Sequence, residues 1–169
     1  MKKFLLVLAA FAALVSCKNA TKDADSEYAV DMFKKGEVLP TFSLEDRAGV
    51  VRTPADFAGK YVVYDFWATW CPDCRADLPA MQELYAKYGD KVTFVGISFD
   101  TDPEKLDAYV AENGIGWVQL SDFVTKKESK VAEDFRVKWI PSMYLVAPDG
   151  KVILGTVMVD KLALALEAL

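Results

Sequence analysis

The chain has 169 residues, room for one domain, and 53% of them are apolar, enough to build a core. Its formal charge is −5 and it carries no basic run, so it lacks the electrostatic footprint of a nucleic-acid binder. Histidine is absent, which excludes Ser–His and Cys–His hydrolases and His-ligated metal centres and leaves sulfur, carboxylate, hydroxyl, amine and backbone groups for any chemistry.

Met1-Lys2-Lys3 is a short basic start, and an apolar run follows over residues 4–15. A membrane-crossing helix needs about 20 apolar residues, so this run is too short to be one. It also has no polar face with which to lie on a core, and residues 1–16 read as a secretory signal. Leu14-Val15-Ser16-Cys17 resembles the lipobox of bacterial lipoproteins, which implies cleavage before Cys17 and lipidation of its sulfur. Losing the leader removes Lys2 and Lys3 and no acid, taking the formal charge from −5 to −7. Lipidation also leaves Cys71 and Cys74 as the one free pair among three cysteines, and several acyl chains at one site suffice for stable anchoring. Residues 17–35 are then the lipidated cysteine and a polar tether, and residues 36–169 the folded domain.

Residues 41–44 and 50–53, either side of Asp46-Arg47-Ala48-Gly49, form an expected N-terminal hairpin. Residues 61–67 are almost continuously apolar and β-rich, the pattern of a strand buried on both faces, broken only by Asp65. From 72 to 88 the period turns helical through Leu78, Met81, Leu84, Tyr85 and Tyr88, with Pro79 set to kink it. A second buried strand follows at 92–98. A helix then opens with Asp102 as N-cap and Pro103 in its first position, and ends at Asn113-Gly114. Residues 128–135 are weakly helical, 142–146 and 151–154 form a hairpin around Pro148-Asp149-Gly150, and 161–169 a short helix. The fold class is α/β: one βαβ unit, then an antiparallel hairpin and a helix.

The chemistry sits at Trp70-Cys71-Pro72-Asp73-Cys74, between a buried strand and the start of a helix. Two intervening residues in a first helical turn bring two sulfurs within bridging reach. Cys71 then meets unpaired N–H groups and the positive end of the helix dipole, which favour its thiolate, while Cys74 lies one turn deeper and serves as resolving thiol. A zinc knuckle would need two further ligands that the chain lacks. A static bridge across so short a loop gains little.

Asp65-Phe66-Trp67-Ala68-Thr69-Trp70-Cys71-Pro72-Asp73-Cys74 resembles the active-site segment of thioredoxins, and still more that of the exported thioredoxin-like oxidoreductases of the TlpA/ResA group. Pro40-x-Phe42-x-Leu44, Gly49, Gly59-Lys60 and Val137-Lys138-Trp139-Ile140-Pro141-Ser142 are similar too, so the resemblance covers 36–169. It implies a thioredoxin-like fold, with a mixed central sheet flanked by helices and an N-terminal β-hairpin. It implies that Ile140–Pro141 is a cis bond facing the sulfurs, where backbone beside the proline pairs with an extended client. It also implies a buried acid that takes the proton of the resolving cysteine. Asp65 matches the thioredoxin acid and ranks first; Asp77, three residues after Cys74, stands where the ResA-like group often has glutamate and ranks second. Trp70 and Pro72, with Ile140 and Pro141, are the expected client-binding residues, and Trp139 can share the apolar rim.

The expected function is disulfide exchange with client proteins at the extracytoplasmic face of a lipid-anchored envelope protein, recycled by a membrane electron donor. No cofactor beyond the Cys71–Cys74 redox disulfide, no metal and no nucleic acid enter. Two alternatives remain open: a peroxiredoxin-like peroxidase, and a non-catalytic lipoprotein that binds a partner on the same scaffold.

Overall fold

The computed structural model describes residues 23–169; the expected signal segment and Cys17 lie outside the described residues. The two apolar runs become the parallel centre of a seven-stranded sheet, β3 (Tyr61–Trp67) beside β4 (Val92–Ser98). Every residue of β3 after Tyr61 is buried, as expected for a strand covered on both faces. The helix between them, α2 (Pro72–Tyr88), makes the crossover and runs through Pro79 as one continuous element. After β4, α3 (Pro103–Glu112) starts as expected: the Asp102 carboxylate accepts from the backbone N–H of Glu104 and Lys105 at 3.1 and 3.2 Å.

A third parallel strand, β5 (Val118–Ser121), pairs with β4 and has no counterpart in the sequence reading. The N-terminal hairpin exists but is displaced, β1 being Leu44–Asp46 and β2 Val51–Arg52. Its turn is set by Asp46, whose carboxylate accepts from Ala48 N and Val50 N, and by Gly49 at φ +74°, a conformation that favours glycine. This hairpin extends the sheet antiparallel along β5. On the other flank β6 (Ser142–Val146) lies antiparallel to β3, and β7 (Val152–Thr156) to β6. The sheet order is β2-β1-β5-β4-β3-β6-β7. A short α4 (Lys130–Asp134) precedes β6, and α5 (Val159–Glu167) packs on α2, β6 and β7.

The tether expected through residue 35 differs from the structure from residue 23 onward. Residues 23–35, including α1 (Asp25–Tyr28), form a strap across the end of the sheet, with Ala29 and Met32 in the core. The Asp25 carboxylate fixes it, accepting from Thr156 Oγ1 and Val157 N, each at 2.8 Å, and from Lys161 Nζ at 2.7 Å. Arg136 lies 4.0 Å from the Phe33 ring centre, a cation–π contact. The strap's polar composition hid this, because much of its hold comes from ion pairs and contacts with residues distant in sequence.

Candidate active site

The site forms at the carboxyl ends of the parallel strands, where open α/β sheets place their ligands. β3 ends at Trp67, and residues 68–71 lead into α2. That loop is held from β4's side by Asp100, a buried acid two residues after the strand. Its carboxylate accepts from Thr69 N at 2.9 Å, Thr69 Oγ1 at 2.6 Å and Ser98 Oγ at 2.7 Å. Trp67 is locked as well, its indole N–H donating to Gln119 Oε1 on β5 at 2.9 Å. So the segment just before Cys71 is fixed by buried hydrogen bonds on both sides.

Cys71 is the N-cap of α2 and forms a disulfide with Cys74, the Cα atoms 5.3 Å apart. The Cys71 sulfur accepts from Cys74 N at 3.2 Å. When the bridge opens, this donor and the positive end of the helix dipole favour a negative charge on the Cys71 sulfur. The sequence reading expected Cys71 to be the more exposed sulfur, yet the two residues are equally covered, at 4% and 6% exposure. The reason is the loop before β6: Cys71 Sγ sits 3.7 Å from the carbonyl oxygen of Ile140, and Ile140–Pro141 is cis. The two sulfurs differ in what they face. Cys71 faces the cis-proline loop, with the exposed Trp70, Pro72 and Trp139 at its rim. Cys74 faces inward, lining a narrow cavity with Asp65, Asp77, Leu78, Met81 and Pro141.

Both candidate acids therefore reach the same cavity as the Cys74 sulfur. Asp65 is buried, and burial first, the Asp77 charge second, push its carboxyl up to about 7. Asp77 is half-buried and also raised, by burial first and then by the charges of Asp73 and Asp160. Two carboxyls facing one cavity resist ionising together, which adds to the rise at Asp65. An acid with a pKa near the working pH is suited to take a proton from a thiol and return it. The structure thus brings together Cys71, Cys74, Asp65, Asp77, Trp70, Pro72, Ile140 and Pro141; Cys17 lies outside the described residues.

Asp100 and Gln119 were missed in the sequence. The available signal was an acid and an amide at the end of, or within, otherwise apolar runs. Replacing Asp100 with alanine leaves Thr69 N–H and two hydroxyls without their acceptor, at about 1–3 kcal/mol per buried group left unpaired. The expected outcome is a fall in stability of at least about 2 kcal/mol by denaturant titration, with slower disulfide exchange as the loop before Cys71 loosens.

Comparison with known proteins agrees with this geometry. The sequence profile of the AhpC/TSA family matches residues 35–154. The thiol-disulfide oxidoreductase ResA of Oceanobacillus iheyensis is 30% identical over 166 residues, spanning 94% of this chain and 81% of that protein. Among solved structures, the thioredoxin domain of a thiol-disulfide oxidoreductase from Bacteroides vulgatus matches with a TM-score of 0.72 at 30% identity, over 80% of this chain and 97% of that one. A secreted disulfide oxidoreductase of Mycobacterium tuberculosis, homologous to E. coli DsbE, matches with a TM-score of 0.63 at 26% identity, over 76% and 96% of the two chains. With a thioredoxin-like sheet and a cysteine pair bridged at a helix N-terminus, the chain belongs to the AhpC/TSA family, among its ResA-like thiol–disulfide oxidoreductases.

Proposed function

We propose that the chain exchanges disulfides with client proteins outside the cytoplasm, through the pair in Cys71-Pro72-Asp73-Cys74, while a lipid on Cys17 tethers it to a membrane. The observation that carries the exchange chemistry is the asymmetry of the bridge: Cys71 at the helix mouth against the cis-proline loop, Cys74 against the acids. Cys71 thiolate attacks a client disulfide, joining one client sulfur and expelling the other as thiolate. Cys74 gives its proton to the carboxylate of Asp65, or of Asp77 in second place. Its thiolate then attacks Cys71, so the client leaves as a dithiol and the Cys71–Cys74 bridge reforms. A membrane electron donor returns the two electrons, and no further cofactor is required.

The location rests on the basic–apolar start of the chain and the Leu14-Val15-Ser16-Cys17 sequence, and one similar structure is that of a secreted protein. Metabolic labelling with palmitate tests it: label should appear in the membrane fraction and vanish with Cys17→Ser, whereas an unlabelled, freely soluble parent protein would contradict the tether.

The AhpC/TSA match supports a second reading, peroxide reduction. Peroxidatic cysteines follow a Pro-x-x-x-Thr/Ser-x-x-Cys pattern, and residues 65–68 contain no proline ahead of Thr69. Rapid peroxide consumption by the purified, reduced protein would favour this reading over exchange.

A further inference from the structure

A groove of about 430 Å³ opens beside the cysteine pair, between the first turns of α2, the cis-proline loop, the start of α5 and the N-terminal strap. Its walls come partly from outside the family-matched segment 35–154: Ala24 and Tyr28 precede it, Val159 and Asp160 follow it. Tyr28 stacks on Trp139 with ring centres 4.5 Å apart, so the strap and the cis-proline loop make one aromatic wall. Every ionisable group on the opposite side is an acid: Asp73, Asp77 and Asp160. Among the described residues none of the three has an ion-pair partner. Of the nearby cations, Lys161 is engaged by Asp23 and Asp25 and Lys138 by Asp31 at 2.6 Å, while Arg75 lines a separate groove with Pro79 and Asn113. The first turns of α2 and α5 each bring about half a positive charge from the helix dipole, too little to cancel three carboxylates.

We propose that this groove receives an extended client segment carrying a lysine or arginine close to its reacting cysteine. The inference rests on the disulfide-exchange reading above. The cation lies against the aromatic wall and among the carboxylates, a pairing of charge and π-face that favours ammonium or guanidinium groups and repels acidic segments. The groove touches Pro141, next to the Ile140 carbonyl that faces Cys71, so a chain in the groove runs alongside the cis-proline loop that flanks the attacking sulfur. The strap thus does more than cover the sheet edge: it helps select the client. The Asp77 carboxyl is raised by burial first and then by the charges of Asp73 and Asp160, so the three acids lie within electrostatic reach of one another.

The test uses the reduced full chain and three disulfides. Two are peptides with an intramolecular disulfide that differ only in lysine or glutamate beside the attacked cysteine. The third is hydroxyethyl disulfide, neutral and too small to fill the groove. In each reaction two electrons and two protons pass from the Cys71 and Cys74 thiols to the substrate disulfide. The lysine peptide should react about fivefold faster in kcat/KM than the glutamate peptide at low salt, with the advantage shrinking in high salt. Asp160→Asn should cut that preference about twofold while leaving the hydroxyethyl disulfide rate unchanged. Equal rates for the two peptides, faster reaction of the glutamate peptide, or a preference untouched by Asp160→Asn would overturn the inference while exchange itself stands. No reaction with any of the three disulfides would overturn the exchange reading, and this inference with it.

Discussion

Asp65→Asn is expected to make the protein more stable above neutral pH and slower in exchange. In the folded protein the Asp65 carboxyl holds its proton up to a pH of about 7, against 3.8 for an ordinary aspartate. The folded state therefore binds that proton more tightly than the unfolded chain. Below pH 3.8 both states are protonated and Asp65 costs nothing relative to a neutral amide. As pH rises from 3.8 towards 7 the unfolded chain ionises freely while the folded one resists, and stability is lost across that window. Above 7 the deficit is complete, and a shift of about three units corresponds to about 4 kcal/mol. Unfolding free energies of the parent and Asp65→Asn from urea titration should therefore coincide near pH 3.5 and differ by an amount approaching that value near pH 8. A gain of the same size at both pH values would show that packing, rather than ionisation, is responsible. Function moves the other way, because the resolving thiol loses its first proton acceptor. Release of client from the mixed disulfide should slow by about tenfold to hundredfold at neutral pH, and the rate should lose its dependence on a group titrating near 7.

Cys71→Ser should lower insulin-disulfide reduction by about a thousandfold or more, to the uncatalysed level. A serine hydroxyl stays protonated at neutral pH and forms no stable bond to sulfur, so neither half of the exchange can begin. Cys74 does not substitute, because it faces the acid-lined cavity beneath the helix, away from the Trp70 and Trp139 rim. The fold itself should survive, with thermal unfolding close to that of the reduced parent. Retained turnover in Cys71→Ser would contradict the roles assigned to both sulfurs.

Much of this was legible in the sequence for identifiable reasons. Strands β3 and β4 announced themselves because parallel strands covered on both faces need unbroken apolar runs, and α3 because Asp102-Pro103 is a physical start signal. The cysteine pair, Asp65, Asp77 and the cis-proline loop were all identified before the structure placed them together. β5 was hidden because Gln119 and Ser121, which look solvent-facing, are buried and hydrogen-bonded, to the Trp67 indole and to the Ser98 carbonyl at 3.0 Å. Its polar residues follow the needs of the neighbouring strands, which no local pattern encodes. The strap was hidden for a related reason. Asp25 reads as a solvated charge until Thr156, Val157 and Lys161, more than a hundred residues later, are folded against it. The displaced hairpin is a smaller difference: Asp46, taken as a turn residue, ends β1 and builds the turn through its own carboxylate.

The claim on which everything turns is that Cys71 makes the bond to the client and Cys74 breaks it. The direct measurement is to expose reduced Cys74→Ala and Cys71→Ala proteins to a peptide disulfide at neutral pH and to follow, by mass, which one captures the peptide. Cys74→Ala should accumulate a long-lived adduct on the fragment containing Cys71, and Cys71→Ala should stay essentially unmodified. Equal capture by both, or faster capture at Cys74, would contradict the account.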